Sequence, residues 1–177
     1  LVTGASGGVG SIAVSILAQL GYRVTASTGR PELENYLCSL GACEVIARTL
    51  LSEPSDRPLE SERWDGVIDT VGGITLARAI AQLKYRSSVA VCGLVGGVTL
   101  ETSVIPFLLR GVNLLGIDSS MQPYSIREIV WQRLAQELQL QVLDDMTTVI
   151  GLTDLAEYSE RILDGQIRGR VVVDLNT

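Results

Sequence analysis

The glycine-rich stretch Leu1–Gly10 constrains the fold more than any other part of this sequence. Residues 1–3 are predicted to end a buried strand, and the small, apolar residues of Ser11–Leu20 are predicted to form a helix. A strand, a glycine-rich turn and a helix in this order are the context in which such glycines bind a dinucleotide. Within it, Gly7 allows the backbone to approach a pyrophosphate, and Gly10 allows the helix to pack closely on the sheet.

This turn supplies candidate ligands for phosphate groups. The N-terminus of the following helix presents free N–H groups and the positive end of its dipole to anions. A turn with a purely structural role is the alternative. We predict nucleotide binding, with four cofactor-binding residues in the turn: Ser6, Gly7, Gly8 and Val9.

The sequence starts abruptly for such a domain. Strands of parallel sheets usually have ~5–6 residues, yet only three precede Gly4, and the first residue is not Met. Nothing at this end resembles a signal or targeting peptide. We therefore expect the chain to be part of a longer enzyme.

The composition argues against several functional classes. The 177 residues carry a net charge of −6, which argues against nucleic acid as a partner. No apolar run approaches the ~18 residues that a membrane helix requires, so no membrane association is expected. Hydrophobic residues make up 46% of the chain, as expected where parallel strands are buried on both faces.

Metal and nucleophile chemistry are also constrained. The chain contains no histidine, and Cys38, Cys43 and Cys92 lack the spacing of metal ligands. A Ser-His or Cys-His catalytic pair and a histidine-based zinc site are therefore excluded within these residues. Three cysteines do not suit a disulfide framework, so reduced thiols in the cytoplasm are expected. We predict no metal site.

Strand and helix patterns alternate as far as Asp118. This βαβ alternation predicts an α/β fold with a doubly wound parallel sheet of the Rossmann type. The charged, proline-containing residues 49–63 are predicted to form a surface connection. The predicted strands are 23–27, 44–47, 67–70, 88–93 and 112–117, and the predicted helices are 32–40, 74–83 and 106–110.

The pattern changes after Asp118. A long amphipathic helix is predicted over 125–138, with Ser125 as N-cap and Glu128 completing a capping box. A strand at 147–150, a helix at 153–163 with Thr153 as N-cap, and a strand at 170–175 follow. This tail either extends the sheet or returns to a domain whose remainder is absent. We predict a nucleotide-binding domain at 1–140 and a C-terminal segment at 141–177.

The opening motif also matches the short-chain dehydrogenases, through Thr3, Gly4, Gly8 and Gly10. That family needs a Tyr followed four residues later by a Lys, which lowers the pKa of the phenol. The tyrosines here have no such partner, since the residues four positions after them are Ala26, Leu40, Val89, Glu128 and Ile162. A short-chain enzyme is therefore not expected.

The chain as a whole resembles the medium-chain dehydrogenase/reductase superfamily, in its zinc-free quinone-oxidoreductase branch and the acrylyl-CoA reductase type. The resemblance covers nearly the whole chain. It rests on seven segments: Ala5–Gly10, Thr28–Arg30, Trp64–Gly73, Val89–Gly97, Ile105–Arg110, Gly116–Ser119 and Gln166–Arg170.

The resemblance implies an architecture and an activity. A catalytic domain precedes the Rossmann domain in this family, and the end of the chain returns to the catalytic part. The family also implies pairing into a homodimer through residues 112–117, although an ordinary outer strand is the alternative. The implied activity is NADPH-dependent reduction of a small molecule, either a quinone or an activated C=C bond such as that of acryloyl-CoA. A non-catalytic NADPH-binding module or redox sensor is the alternative.

The end of the second strand predicts the choice of cofactor. NAD-preferring domains carry an Asp or Glu ~20 residues after the glycines, whereas here the strand leads into Thr28, Gly29 and Arg30. Arg30 is expected to form a bidentate pair with the 2′-phosphate of NADP, while Thr28 and Gly29 add hydrogen bonds. A solvated arginine is the alternative. NADP is the predicted cofactor.

The remaining site predictions rest on the resemblance and on position in the predicted sheet. By resemblance, Leu94, Leu108 and Ser119 line the nicotinamide half of the cofactor, with plain core or loop positions as the alternative. No residue is predicted to be catalytic, because the cofactor carries the hydride. Asp69 is expected to bond a nearby turn, and Asp118 is expected to lie near the cofactor.

Overall fold

A computed structural model describes residues 1–137 and 140–176 of the chain. Its main sheet consists of parallel strands flanked by helices, which confirms the predicted fold class. The strands are β1 (Val24–Thr28), β2 (Ala42–Ala47), β3 (Trp64–Asp69), β4 (Leu83–Val91) and β5 (Asn113–Gly116).

The first residues of the chain lie in the centre of this sheet. Val2 pairs in parallel with Ala26 of β1 on one side and with Ile68 of β3 on the other. The spatial order is therefore β2, β1, residues 1–3, β3, β4 and β5. The chain runs outward to one edge, returns to the centre and runs outward to the other edge. Such a reversal of strand order places a ligand crevice at the carboxyl ends of the strands.

The helices between these strands begin and end close to their predicted positions. The helices are α1 (Gly8–Gln19), α2 (Glu34–Ser39, after a 3-10 turn at Pro31–Leu33), α3 (Thr49–Ser52), α4 (Gly73–Ala81) and α5 (Ile105–Arg110). Helix α3 adds one helical turn to the predicted surface connection at 49–63, and the fully buried Leu51 anchors this turn. The start of α1 is three residues earlier than predicted, with Gly7 as its N-cap.

Gly10 has the packing role that its position predicts. A β-carbon at Gly10 would collide with the carbonyl oxygen of Gly4 and the α-carbon of Ala5. Only glycine lets the first turn of α1 approach the backbone this closely. The same helix contributes the fully buried Val14 to a core that includes Val2 and Ala26.

Strand β4 starts five residues earlier than predicted. Its register with β3 shifts between the pairs Trp64↔Leu83 and Gly66↔Ser88, so extra residues of β4 bulge out of the ladder. Arg86 lies within this bulge with a φ of 60°. The polar residues of the bulge conceal the strand in the sequence pattern, because a bulge breaks the two-residue alternation of side chains.

The C-terminal part forms a second, smaller sheet. Strands β6 (Thr147–Gly151) and β7 (Arg170–Asp174) pair in parallel with each other and, among the described residues, do not extend the main sheet. The helices of this part are α6 (Tyr124–Glu137), α7 (Leu140–Met146) and α8 (Leu155–Leu163, after a 3-10 turn at Leu152–Asp154). The buried Met146 packs with Val14 and Leu37 in the core of the main sheet, so this part contacts the nucleotide-binding fold directly.

Several boundaries in this part differ from their predictions. Helix α6 begins at Tyr124, so Ser125 lies inside the helix rather than at its N-cap. The predicted end of this helix at Leu138 lies outside the described residues. Thr153 lies in the 3-10 turn rather than at the N-cap of α8. The sequence analysis does not predict α7.

Candidate cofactor site

The carboxyl ends of the parallel strands form one edge of the main sheet. The glycine-rich turn follows residues 1–3 at this edge, and α1 starts directly from it at Gly8. Within the described residues, the N–H groups of Gly8, Val9 and Gly10 have no hydrogen-bond acceptor. These free donors and the dipole of α1 can bind an anion such as a pyrophosphate.

Three predicted residues form one hydrogen-bonded group beside this turn. The Ser6 and Thr28 hydroxyl oxygens lie 3.2 Å apart. Arg30 donates from Nη2 to Ser6 Oγ at 2.9 Å and from its backbone N–H to Thr28 Oγ1 at 3.1 Å. Ser6 and Thr28 are both buried, so their hydroxyls organise the loop from within.

Arg30 also bonds a distant part of the chain. Its Nη2 donates to the carbonyl oxygen of Ile167 at 2.9 Å. Arg30 is therefore not the solvated side chain that was the alternative. A guanidinium can bind an anion in a bidentate way through Nη1 and Nη2 or through Nε and Nη2. Both pairs include Nη2, which here already donates to two protein acceptors. In this arrangement Nη2 is therefore occupied by protein acceptors, and the N–H groups of Nε and Nη1 are the donors that a ligand can use.

Further arginines surround the same loop. The guanidinium of Arg48 packs on Gly29, where an added β-carbon would lie 2.8 Å from Arg48 Cζ. Arg170 lies in the same way against Gly8, and Arg168 stacks over the Tyr36 ring at 4.7 Å from its centroid. In the described part of the chain, Arg30, Arg48 and Arg168 form no salt bridge. A cluster of arginines without salt bridges favours an anionic ligand.

The electrostatics of Arg30 and Tyr36 reflect this crowding. Burial lowers the pKa of the Arg30 guanidinium, Glu32 opposes this change, and Arg48 adds to it. Burial raises the pKa of the Tyr36 hydroxyl, while the positive charges of Arg168 and Arg30 act against that rise.

The C-terminal turn, which we define as residues 166–170, closes over the glycine-rich turn. Gly169 N–H donates to the carbonyl oxygen of Ser6 at 2.9 Å. In the sequence this segment stands out only through a resemblance, and no site role is predicted for Arg48, Ile167 or Gly169. Two arginines and a glycine in five residues of an acidic chain are the signal that was available.

The three residues predicted by resemblance lie apart from this group. Leu94 is 64% exposed and Leu108 is 75% exposed, so neither belongs to the core. Ser119 is exposed in the loop after β5. Asp118 Oδ1 accepts from the backbone N–H groups of Ser120 and Met121, which orders this loop. No hydrogen bond between described residues joins Leu94, Leu108 or Ser119 to Arg30.

Asp69 has the structural role that was predicted for it. Its fully buried carboxylate accepts from the Thr3 hydroxyl and from the backbone N–H of Gly72, both at 2.7 Å. The hydrogen bonds join residues 1–3 to the turn after β3, where Gly72 has a φ of 77°. Both carboxylate oxygens are thus engaged in holding the edge of the sheet together.

The described residues contain neither a candidate metal site nor a helix able to span a membrane. Residues 1–137 and 140–176 contain no group of three or more Cys, Asp or Glu side chains able to hold a metal ion. None of the helices in those ranges has the length and apolar character needed to cross a membrane.

Comparisons with known proteins agree with this architecture. The chain is 57% identical over 176 residues to the acrylyl-CoA reductase AcuI of Ruegeria pomeroyi, a match that covers 99% of this chain and 53% of that protein. It is 45% identical over 176 residues to the putative quinone oxidoreductase YhfP of Bacillus subtilis, covering 99% and 53% respectively. The chain thus spans about half the length of the curated relatives it matches.

Solved structures give the same result. The yhdH oxidoreductase of Salmonella enterica in complex with NADP superposes with a TM-score of 0.95 and 45% identity, covering 98% of this chain and 53% of that chain. The structure of Bacillus subtilis yhfP with NAD bound has a TM-score of 0.92 and 44% identity, with the same coverage.

A family model supports these pairwise matches. The model of the zinc-binding dehydrogenase family matches residues 8–136, from the start of α1 almost to the end of α6. The resemblance to acrylyl-CoA reductases and quinone oxidoreductases that the sequence predicts is confirmed by these relatives. The chain belongs to the zinc-binding dehydrogenase family.

Proposed function

We propose that the chain is the cofactor-binding half of an NADPH-dependent reductase that acts on quinones or on activated C=C bonds such as that of acryloyl-CoA. The observation that carries this proposal is the arginine cluster at the carboxyl edge, beside the free N–H groups of α1. The end of β1 carries Arg30 where an NAD-preferring domain has a carboxylate. The relatives that bind NADP or are described as reductases support the same proposal.

Each part of the site has a role in this proposal. Gly7, Gly8 and Val9 hold the pyrophosphate at the N-terminus of α1. Arg30 and Arg48 each contribute one contact to the 2′-phosphate, in place of the bidentate pair expected from Arg30 alone. Ser6, Thr28 and Gly29 shape the loop that presents the two arginines.

The nicotinamide half is proposed to lie toward Leu94, Leu108 and Ser119. When bound, the reduced nicotinamide supplies a hydride to the β-carbon of the enoyl group or to the quinone ring. The exposed Leu94 and Leu108 side chains exclude water from that half once another surface covers them. No residue of this chain is assigned a catalytic role, because the cofactor carries the hydride. The buried Asp69 carboxylate has both oxygens engaged in structural hydrogen bonds.

The finer assignments are part of the same proposal. The enzyme is zinc-free and cytoplasmic, and it forms a homodimer through β5, whose residues are all exposed. Residues 1–140 form the nucleotide-binding domain, and residues 141–177 return toward a catalytic domain. The buried Met146 and the bond from Gly169 to Ser6 show that parts of this segment also pack on the nucleotide-binding fold.

The test follows NADPH oxidation by the enzyme carrying both halves. Turnover is expected with acryloyl-CoA or with a quinone, and not with the 177 residues alone, which bind NADPH weakly. NADPH binding without turnover on either substrate would favour a non-catalytic module instead. Efficient turnover by the 177 residues alone would show that the active site is misplaced in this proposal.

A further inference from the structure

The C-terminal turn determines where the guanidinium of Arg30 lies. One nitrogen, Nη2, donates to both Ser6 Oγ and the Ile167 carbonyl oxygen, each at 2.9 Å. Ser6 belongs to the glycine-rich turn and Ile167 to the C-terminal turn, so two distant segments hold one atom. The hydrogen bond from the Gly169 backbone N–H to the Ser6 carbonyl oxygen joins these two segments.

Both acceptors are neutral, which matters for an anion-binding side chain. A carboxylate in their place would neutralise Arg30 and compete with an incoming phosphate. A hydroxyl and a carbonyl restrain the long side chain but leave its full charge available. An unrestrained arginine would lose rotamer freedom on binding, which costs free energy. The arrangement removes part of that cost before the ligand arrives.

Tight packing fixes the C-terminal turn itself. Gly169 has a φ of 60°, and a β-carbon there would collide with the carbonyl oxygen of Met146 at the end of α7. The same β-carbon would lie 3.1 Å from the Tyr36 hydroxyl. The neighbouring Arg168 stacks on the Tyr36 ring. The Ile167 carbonyl is therefore held in place through Gly169.

We propose that the C-terminal turn is a specificity-determining element for the cofactor. Ser6 and Ile167 act as positioning residues that aim Arg30 at the 2′-phosphate of NADPH, so selectivity over NADH depends on Gly169. This inference rests on the proposed binding of NADPH at this edge. It assigns a cofactor-selecting role to the C-terminal segment, which the sequence pattern alone does not.

The test compares two glycine-to-alanine variants by calorimetric titration of NADPH and NADH. Gly169→Ala displaces the turn, and the Kd for NADPH is expected to rise about fivefold or more, the effect of losing part of a charged hydrogen bond. The Kd for NADH is expected to stay within about twofold, since NADH lacks the phosphate. Gly165→Ala is the matched control, because Gly165 has a similar φ of 69° but open space around it.

Three outcomes would overturn the inference: equal losses for both cofactors, no loss for either, or tighter NADPH binding, which would mean that Ile167 competes with the phosphate. Equal wild-type affinity for NADPH and NADH would instead contradict the proposed cofactor. If Gly169→Ala does not fold, Ser6→Ala removes the other acceptor and is expected to lower the NADPH preference about threefold. Ser15→Ala, another buried serine with a bonded hydroxyl, is its control.

Discussion

The two ends of the main sheet differ in how completely their side chains are engaged. Beside β1, Ser6, Thr28 and Arg30 are bonded to one another and to the C-terminal turn. At β5, the strand itself is exposed, and the apolar side chain of Leu108 in the preceding helix α5 is 75% exposed. The first end, which we call the closed end, is completed by this chain. The second, the open end, presents apolar surface that the described chain does not cover.

This contrast separates two parts of cofactor recognition. The phosphate groups are proposed to bind at the closed end, where every positioning contact is internal. The nicotinamide is proposed to bind toward the open end, where exposed apolar side chains are available to an interaction site. We therefore expect this chain alone to bind the phosphate groups. Reductase activity is expected only when another surface covers the open end.

The largest expected effect concerns packing at the closed end. Gly10→Ala places a β-carbon against the backbone of Gly4 and Ala5, neither of which can yield easily. The free energy of unfolding is expected to fall by about 3 kcal/mol, as measured by urea denaturation. Gly116→Ala at the open end is the control, with an expected change within about 0.5 kcal/mol because no atom lies within 4 Å of an added β-carbon. Equal losses would remove the distinction between the ends.

The second effect concerns the charge at the closed end. Arg30→Ala is expected to cost about 1.5–3 kcal/mol of NADPH affinity, roughly tenfold or more in Kd. NADH binding is expected to change little, and added salt is expected to weaken NADPH binding more than NADH binding. Calorimetric titration of both cofactors measures these differences. Equal losses for both cofactors would mean that Arg30 supports the loop instead of binding the phosphate.

The third effect concerns the pKa of the Glu60 carboxyl, which lies in the connection before β3. Burial alone would raise the pKa of the Glu60 carboxyl, but hydrogen bonds from Arg78 and Gln82 outweigh burial and hold this pKa below its ordinary value of 4.5. A lowered pKa in the folded state stabilises the fold above pH 4.5, and this stabilisation is lost as the pH falls through the folded-state pKa.

Glu60→Gln tests this dependence. The variant is expected to be about 1 kcal/mol less stable than the wild type at pH 7, with the difference shrinking below pH 4. Denaturant unfolding at several pH values measures the difference. A constant gap from pH 7 to pH 3 would show that the carboxylate charge contributes nothing.

The smallest effect is expected at the open end. Leu108→Ser removes an exposed apolar side chain, so the free energy of unfolding of the chain is expected to change by less than about 0.5 kcal/mol. Reductase activity of the enzyme with both halves is expected to fall, because Leu108 is proposed to line the nicotinamide half. A loss of stability above 1 kcal/mol would instead place Leu108 in a packed environment.

The sequence predicted the parts of the fold that depend on local patterns. The glycine-rich turn, the roles of Gly10 and Asp69 and the parallel alternation depend on residues close in sequence or on a strict spacing. The C-terminal turn could not be predicted, because Ile167 meets Arg30 only through long-range packing. For the same reason the engagement of Arg30 Nη2 could not be predicted, because it is a property of the folded loop.

The hydrogen bond between Gly169 and Ser6 affects when the closed end can fold during synthesis. Ser6 leaves the ribosome well before Gly169, because the two residues are far apart in the sequence. The closed end therefore cannot take its final form until nearly all 177 residues have been synthesised. Contacts this distant in sequence form late, because loop closure must precede them. Nascent chains that lack the last residues are then expected to hold a folded sheet in which Arg30 lacks its hydrogen bond to Ile167.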